Sequence, residues 1–313
     1  MFAPVKRQLL RETMFDFLIP LSDLLRAEPI VFVTVSVIFG LMVGSFLNVV
    51  IHRLPIMMEN TEEAYFQQRQ AAVASLSEAE LNALPQPPKY NIVTPRSACT
   101  KCGHKISALE NIPIISYLIL GGKCKGCKTK ISVRYPLIEA LTGAVIGAAA
   151  YVYGYGGATF FIFTFIFALI ALTFIDLDTF LLPDDIVLPL LWLGLLFNLN
   201  TGFTDLQSAV IGAMAGYMVL WLVFWLFKLV TGKEGMGYGD FKLLAAIGAW
   251  FGWQILPAVI LLSSVAGALI GIGLILFKGK GRNTAIPFGP FLALGGIAAL
   301  FFGQQLASFY LPH

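Results

Sequence analysis

Charge is scarce in this chain. Asp, Glu, Lys and Arg make up 12% of its 313 residues, about half the soluble norm of roughly 25%. Apolar residues make up 58%, more than a water-soluble fold of this size could cover. That excludes an ordinary soluble enzyme and points to a polytopic membrane protein. Histidine is nearly missing, and His313 is the only one beyond residue 134. A Ser-His-Asp or Cys-His nucleophile in the apolar body therefore has no base. No strand followed by G-x-G-x-x-G occurs in the polar segment 53–134, so the usual nucleotide fingerprint is missing. The N-terminal tail does not read as a secretory leader, because its apolar stretch is short and broken by Asp16 and Pro20. There is no internal repeat.

What is abundant is apolar sequence in long runs. Eight spans of about 20 residues each are expected, near 29–51, 135–153, 157–175, 182–199, 206–229, 241–255, 256–277 and 286–309. The sixth is short, and its end is placed at Gly252–Pro257. The fold class is thus all-α, a polytopic membrane protein with a small insertion between helices one and two. Its parts are an N-terminal tail (1–28), a first transmembrane helix (29–52), a four-cysteine domain (53–134) and a membrane body (135–313). The segment 53–134 carries 11 basic residues, and the loops on its side of the membrane carry Lys228, Lys233, Lys242, Lys278, Lys280 and Arg282. The opposite loops carry none. That asymmetry puts the insertion in the cytoplasm, against the minority vote of Lys6, Arg7, Arg11 and Arg26 in the tail. Within the insertion, 57–84 is helix-prone. Ser77 and Glu80 form a candidate capping box, and Pro85, Pro87 and Pro88 follow as breakers.

All four cysteines lie in the insertion: Cys99, Cys102, Cys124 and Cys127. Two C-x2-C pairs can bring four thiolates to one ion. Four thiolates fill a tetrahedron, so a structural zinc is expected rather than a catalytic one. The rival is two disulfides, which need an oxidising compartment. His104 is expected to be a spare. The insertion's 11 bases against six acids leave it net +5, suited to anionic headgroups.

The membrane body holds few acids, and all but Asp205 fall near one face. In Thr173-Phe-Ile-Asp-Leu-Asp178 the helical advance of about 100° per residue separates Asp176 from Asp178. Asp176 is the deeper and points into the bundle; Asp178 meets water. Asp185 is expected to cap the next helix, with Asp184 as a supporting group. Asp240 ends a loop carrying Gly235, Gly237 and Gly239. Glycine allows positive φ and close backbone approach, and an acid in a membrane segment is a functional candidate by default. Two carboxyls close together share one proton, so one can act as base toward water and the other as acid toward a carbonyl. The bland alternative for Asp240 is a helix cap. Asn48, His52 and Arg53 either serve substrate or mark the membrane edge.

These residues resemble a family. Gly237-Tyr-Gly-Asp240 is similar to the GxGD signature of membrane aspartyl proteases. The run Gly44-Ser-Phe-Leu-Asn-Val-Val-Ile-His-Arg-Leu-Pro55, the two CxxC pairs, Ile175-Asp-Leu-Asp178 with Leu182-Pro-Asp184, Gly232 to Lys242, and Pro287-Phe-Gly-Pro290 narrow it to the prepilin peptidases. The resemblance covers about 30–310. It implies cleavage of the basic leader from type IV prepilins and pseudopilins, between Gly and usually Phe, at the cytoplasmic face of the bacterial inner membrane. It further implies N-methylation of the new terminus from S-adenosylmethionine. Carried over, Asp176 and Asp240 are the catalytic pair and the four cysteines hold zinc. Asp178, Asp184 and Glu234 would form an acidic rim for the leader. Gly121 and Gly122, with exposed backbone donors, are candidate contacts for the methyl donor. The partners implied are the pilin substrates and the lipid bilayer; no nucleic acid is expected. The alternative function is a proton-coupled transporter using the same carboxylates.

Overall fold

A computed structural model describes residues 20–73, 90–200, 202–278 and 286–310. Residues 1–19 of the tail, Ser77, Glu80, Pro85, Pro87, Pro88, Lys280 and Arg282 lie outside the described residues. The described chain is almost wholly helical. Residues 20–27 are helical and lead into α1 (Pro29–Val73), followed by the short α2 (Ile115–Ile119), α3 (Arg134–Tyr153) and α4 (Gly157–Thr179). Then come α5 (Asp184–Phe197), α6 (Leu206–Thr231), α7 (Tyr238–Phe251), α8 (Leu256–Lys278) and α9 (Gly289–Ser308).

Six of these, α1, α3, α4, α6, α8 and α9, are long and apolar enough to cross a membrane. The count of eight is not confirmed, for a physical reason. Helices α5 and α7 have 14 residues each, about 21 Å at 1.5 Å per residue, against a hydrocarbon core of about 30 Å. Yet both run between the same two ends of the bundle. At one end Lys242 of α7 meets Asp184 of α5. At the other, Asn198 after α5 donates to the carbonyls of Ala249 and Trp250. Their shortness recesses what they carry below the end of the longer α6.

Between helices in lipid there is no hydrophobic drive, so close packing decides contact. A Cβ built on Gly212 of α6 would lie 2.4 Å from the Gly248 carbonyl of α7, and one on Gly216 2.6 Å from that of Leu244. Gly40 and Gly44 of α1 meet Gly143, Glu139 and Thr142 of α3 in the same way. The centre is aromatic. Trp250, fully buried, packs on Phe165 and Phe197 and donates its indole N–H to the Leu190 carbonyl at 2.9 Å.

The boundary expected at residue 53 is not a break. Helix α1 runs on through Pro55 to Val73, a proline being tolerated where neighbours satisfy the freed carbonyl. Arg53 is buried, donates to the carbonyls of Asn91 and Ile92, and lies over the Tyr90 ring. Asn48 donates to the Gly44 and Tyr135 carbonyls. Arg53 thus ties the insertion to the bundle, while Asn48 ties α1 to the start of α3; His52 is exposed.

Candidate active site

Helix α4 ends at Phe180, whose left-handed conformation closes the helix with an N–H bond to the Asp176 carbonyl. Asp176 therefore sits in the last turn. Its side chain is buried while that of Asp178 is exposed, as the 100° advance requires. The Asp176 carboxylate accepts the Gly289 N–H at 3.0 Å, the first residue of α9. No side chain fits there, because a Cβ on Gly289 would stand 2.5 Å from the Asp176 oxygen. Sequence reasoning noted the run Pro287–Pro290 without a role for it. Its role is to bring a bare amide, at the positive end of a helix, onto Asp176.

Asp240 is the third residue of α7 and is 6% exposed. Its Oδ2 accepts the Gly237 N–H at 3.2 Å, so the capping contact is present. It does not account for the burial, nor for the second carboxylate, since Asp176 lies within electrostatic reach of Asp240. Leu182 joins the two. It touches the Cβ positions of both Gly239, at 2.8 Å, and Gly289, at 3.1 Å. The expected use of positive φ is corrected: Gly235, Gly237 and Gly239 are not among the positive-φ glycines. Close approach is the reason at two of them. Gly239 meets Leu182, and a Cβ on Gly235 would meet the Phe227 ring at 2.9 Å.

Each expected rim acid has a cation on it. Asp178 pairs with Arg134 at 2.6 Å, Asp184 with Lys242 at 2.8 Å, and Glu234 with Lys228 at 2.8 Å. Arg134 does more, donating also to the Phe174 carbonyl at 3.2 Å and lying over the Phe174 ring. It thereby grips α4 on both sides of Asp176. The expected cap at Asp185 is corrected: Pro183 is the N-cap of α5, with no side-chain cap bond, so Asp185 serves only the helix dipole.

In the insertion the four cysteine sulfurs all lie within 4.8 Å of one another and form a cluster that could hold a metal ion. None is in a disulfide. The sulfurs share protons unequally: the side chain and then the backbone of Thr129 hold Cys127 down to about 6, while, against the backbone bond of His104, the neighbouring cysteine side chains push Cys102 up to about 11. His104 is outside the cluster. It faces Glu110 at 3.3 Å, beside Lys125 at 3.5 Å. The Ser107 N–H, then its hydroxyl, then His104 hold the Glu110 carboxyl down to about 2. Its stabilisation is therefore full above the ordinary value of 4.5 and lost as pH falls toward about 2. Limited proteolysis against pH should find Glu110→Gln more readily cut than wild type at neutral pH, with the difference vanishing near the acid limit.

Gly121 and Gly122 do not present the free donors expected of them. They form a positive-φ turn after α2, and their N–H groups bond to the carbonyls of Leu118 and Tyr117. Those two amides do not fit a methyl-donor site.

The family comparisons bear on this arrangement. Residues 38–153 match the bacterial peptidase A24 N-terminal domain, and residues 162–272 match the type IV leader peptidase family. A prepilin leader peptidase/N-methyltransferase of Aeromonas hydrophila is 53% identical over 94% of this chain and 98% of its own length. The chain belongs to the type IV leader peptidase family. Proteins of the same description from Pseudomonas aeruginosa and Burkholderia pseudomallei are 51% and 50% identical, over 93% and 88% of this chain and 98% and 86% of their own lengths. No solved structure matches. The cysteine cluster falls in the first matched segment and both buried aspartates in the second; Gly289 lies outside either. The chain is a multi-pass membrane protein of this peptidase family.

Proposed function

We propose that this chain cleaves the basic leaders of type IV prepilins and pseudopilins and then N-methylates the new terminus from S-adenosylmethionine. The observation that carries the reading is the burial of Asp176, in the last turn of α4, beside Asp240, in the first turn of the short α7. In the proposed reaction one carboxylate takes a proton from water, whose oxygen attacks the carbonyl before the cut. The other carboxyl gives its proton to the carbonyl oxygen. As the tetrahedral carbon collapses, the first carboxyl gives the proton it took from water to the departing nitrogen, the C–N bond breaks, and the second carboxylate takes back a hydroxyl proton. The Gly289 N–H orients Asp176, and the Gly237 N–H orients Asp240.

The basic leader is proposed to meet Asp178, Asp184 and Glu234, exchanging its Lys and Arg for Lys242 and Lys228 at the last two and leaving the Arg134–Asp178 pair in place. This face is proposed to look into the cytoplasm from a bacterial inner membrane, a reading the basic insertion supports. The cysteine cluster is proposed to bind one structural zinc. A tetrahedral ion with Zn–S bonds of about 2.3 Å puts its sulfurs about 3.8 Å apart. The Cys99–Cys127 and Cys102–Cys124 separations are 3.8 and 3.9 Å.

The test is incubation of the purified protein with a basic-leader prepilin, followed by mass spectrometry. Release of the leader is expected, then the gain of one methyl group when S-adenosylmethionine is supplied. An intact prepilin under both conditions would sink the reading. Arg134 gives a sharper prediction within it. Removing a group that holds α4 on both sides of Asp176 should lower kcat about tenfold in Arg134→Ala and leave KM within about twofold. Arg134→Lys should recover part of the loss, since it restores the pair with Asp178 but not the fork to Phe174. Steady-state cleavage rates check both.

A further inference from the structure

Helix α2 carries an apolar face that no part of the described chain covers. Ile115 is 54% exposed, Leu118 70% and Ile119 79%, with Leu109 just upstream at 78%. Their height in the membrane follows from one bond. The Ile114 N–H, immediately before α2, donates to the buried Glu139 carboxylate at 2.8 Å. Glu139 is the sixth residue of α3, a 20-residue span, about 30 Å long and so matched to the hydrocarbon core. It therefore lies about 7.5 Å inside the edge marked by Arg134. Its side chain leans back toward the helix start. Ile114 is thus level with the boundary between headgroups and acyl chains, and α2 continues from there. Leu137 and Leu141 of α3, exposed to 57% and 42%, give the first turns of that span exposed apolar side chains as well.

Next to this face stands a basic pair. Lys123 and Lys130 are bridged across a hairpin that follows α2 directly, are exposed, and have no ion-pair partner among the described residues. An apolar helix at the boundary depth, with lysines beside it, has the chemistry of an interfacial anchor for anionic lipid. A water-facing module would not keep four bare aliphatic side chains beside one another.

We infer that residues 109–130 dock on the bilayer that the protein spans, with α2 seated among the glycerol groups and Lys123 and Lys130 on the phosphates of anionic lipids. None of this depends on which reaction Asp176 and Asp240 perform. The anchor would fix the height of the cysteine cluster above the membrane and so the distance between that module and the buried carboxylates.

The test uses the full chain in nanodiscs of phosphatidylcholine, with or without phosphatidylglycerol. An environment-sensitive fluorescent amino acid replaces Leu118, whose exposure leaves packing intact, and in a control replaces exposed Lys101. Expected is a blue-shifted emission at 118 that is quenched by acyl-brominated phosphatidylglycerol, with neither effect at 101. Lys123→Glu with Lys130→Glu should remove the gain that phosphatidylglycerol gives over phosphatidylcholine. Emission at 118 equal to that at 101, or no loss in the double variant, would overturn the anchor. So would a blue shift that needs added prepilin, which would make the face a protein-docking site. Cleavage assayed on the same samples keeps this outcome separate from the fate of the peptidase reading.

Discussion

Asp176→Asn and Asp240→Asn should each lower prepilin cleavage by roughly a thousandfold, the scale of losing a positioned acid or base. Both substitutions are close to isosteric, which is what makes the comparison clean. An Asn oxygen at 176 can still accept the Gly289 N–H, and one at 240 can still accept the Gly237 N–H. Helix starts, the Leu182 contact and the bundle should survive. What goes is the ability to take and give a proton. Because the two carboxyls act as one unit, the double variant should be little slower than either single one. Methyl transfer to a pilin already cut should persist in all three, which distinguishes lost chemistry from lost fold. If either single variant cleaves at the wild-type rate, that aspartate is a helix cap or a structural polar group, and the two-carboxylate mechanism is wrong.

The parts of this site that were legible beforehand were those written in local periodicity. The 100° step put Asp176 inward and Asp178 outward, and the glycine-framed loop marked Asp240. The cysteine spacing marked the cluster. What was not legible depends on pairs far apart in the chain. That the Gly289 amide meets Asp176, that Leu182 wedges between Gly239 and Gly289, and that Arg134 straddles Asp176 are tertiary facts with no local period. The same limit explains why the rationale at the loop held only in part. Glycine was expected there for positive φ and for close approach; only the second holds, since Leu182, in the link between α4 and α5, comes within a Cβ of Gly239. The span count is confirmed only as far as six. Hydropathy detects apolar runs, and α5 and α7 are apolar, but a 14-residue helix is a short strut. Gly121 and Gly122 looked like open donors because sequence does not reveal which amides a turn consumes.

Removing the metal from the cysteine cluster should unfold the insertion while leaving the spans intact. Between residues 90 and 133 only Gly122 and Cys124 are buried, so the module has almost no apolar core of its own. Its strand pairing amounts to two isolated bridges, Ala98 with Lys105 and Lys123 with Lys130. Structural zinc supplies on the order of 10–16 kcal/mol of apparent binding free energy in small four-ligand units at pH 7, so here the ion would be most of the fold. A strong chelator, or Cys102→Ser with Cys124→Ser, should open residues 90–133 to protease and release one zinc per chain, with the helical signal of the body little changed. The loss should also travel. The module ends at Arg134, which grips α4 around Asp176, and it leans on Glu139 through the Ile114 N–H. Cleavage should therefore fall by about tenfold, close to the Arg134→Ala loss, and chelation should add little to a protein already carrying Arg134→Ala, as expected for groups acting through one path. Zinc content by mass spectrometry, protease mapping and cleavage rate on one set of samples decide it. Should a thiol reductant open the module while a chelator leaves it closed, the cysteines are paired as disulfides, and the cytoplasmic placement of this face falls with the metal.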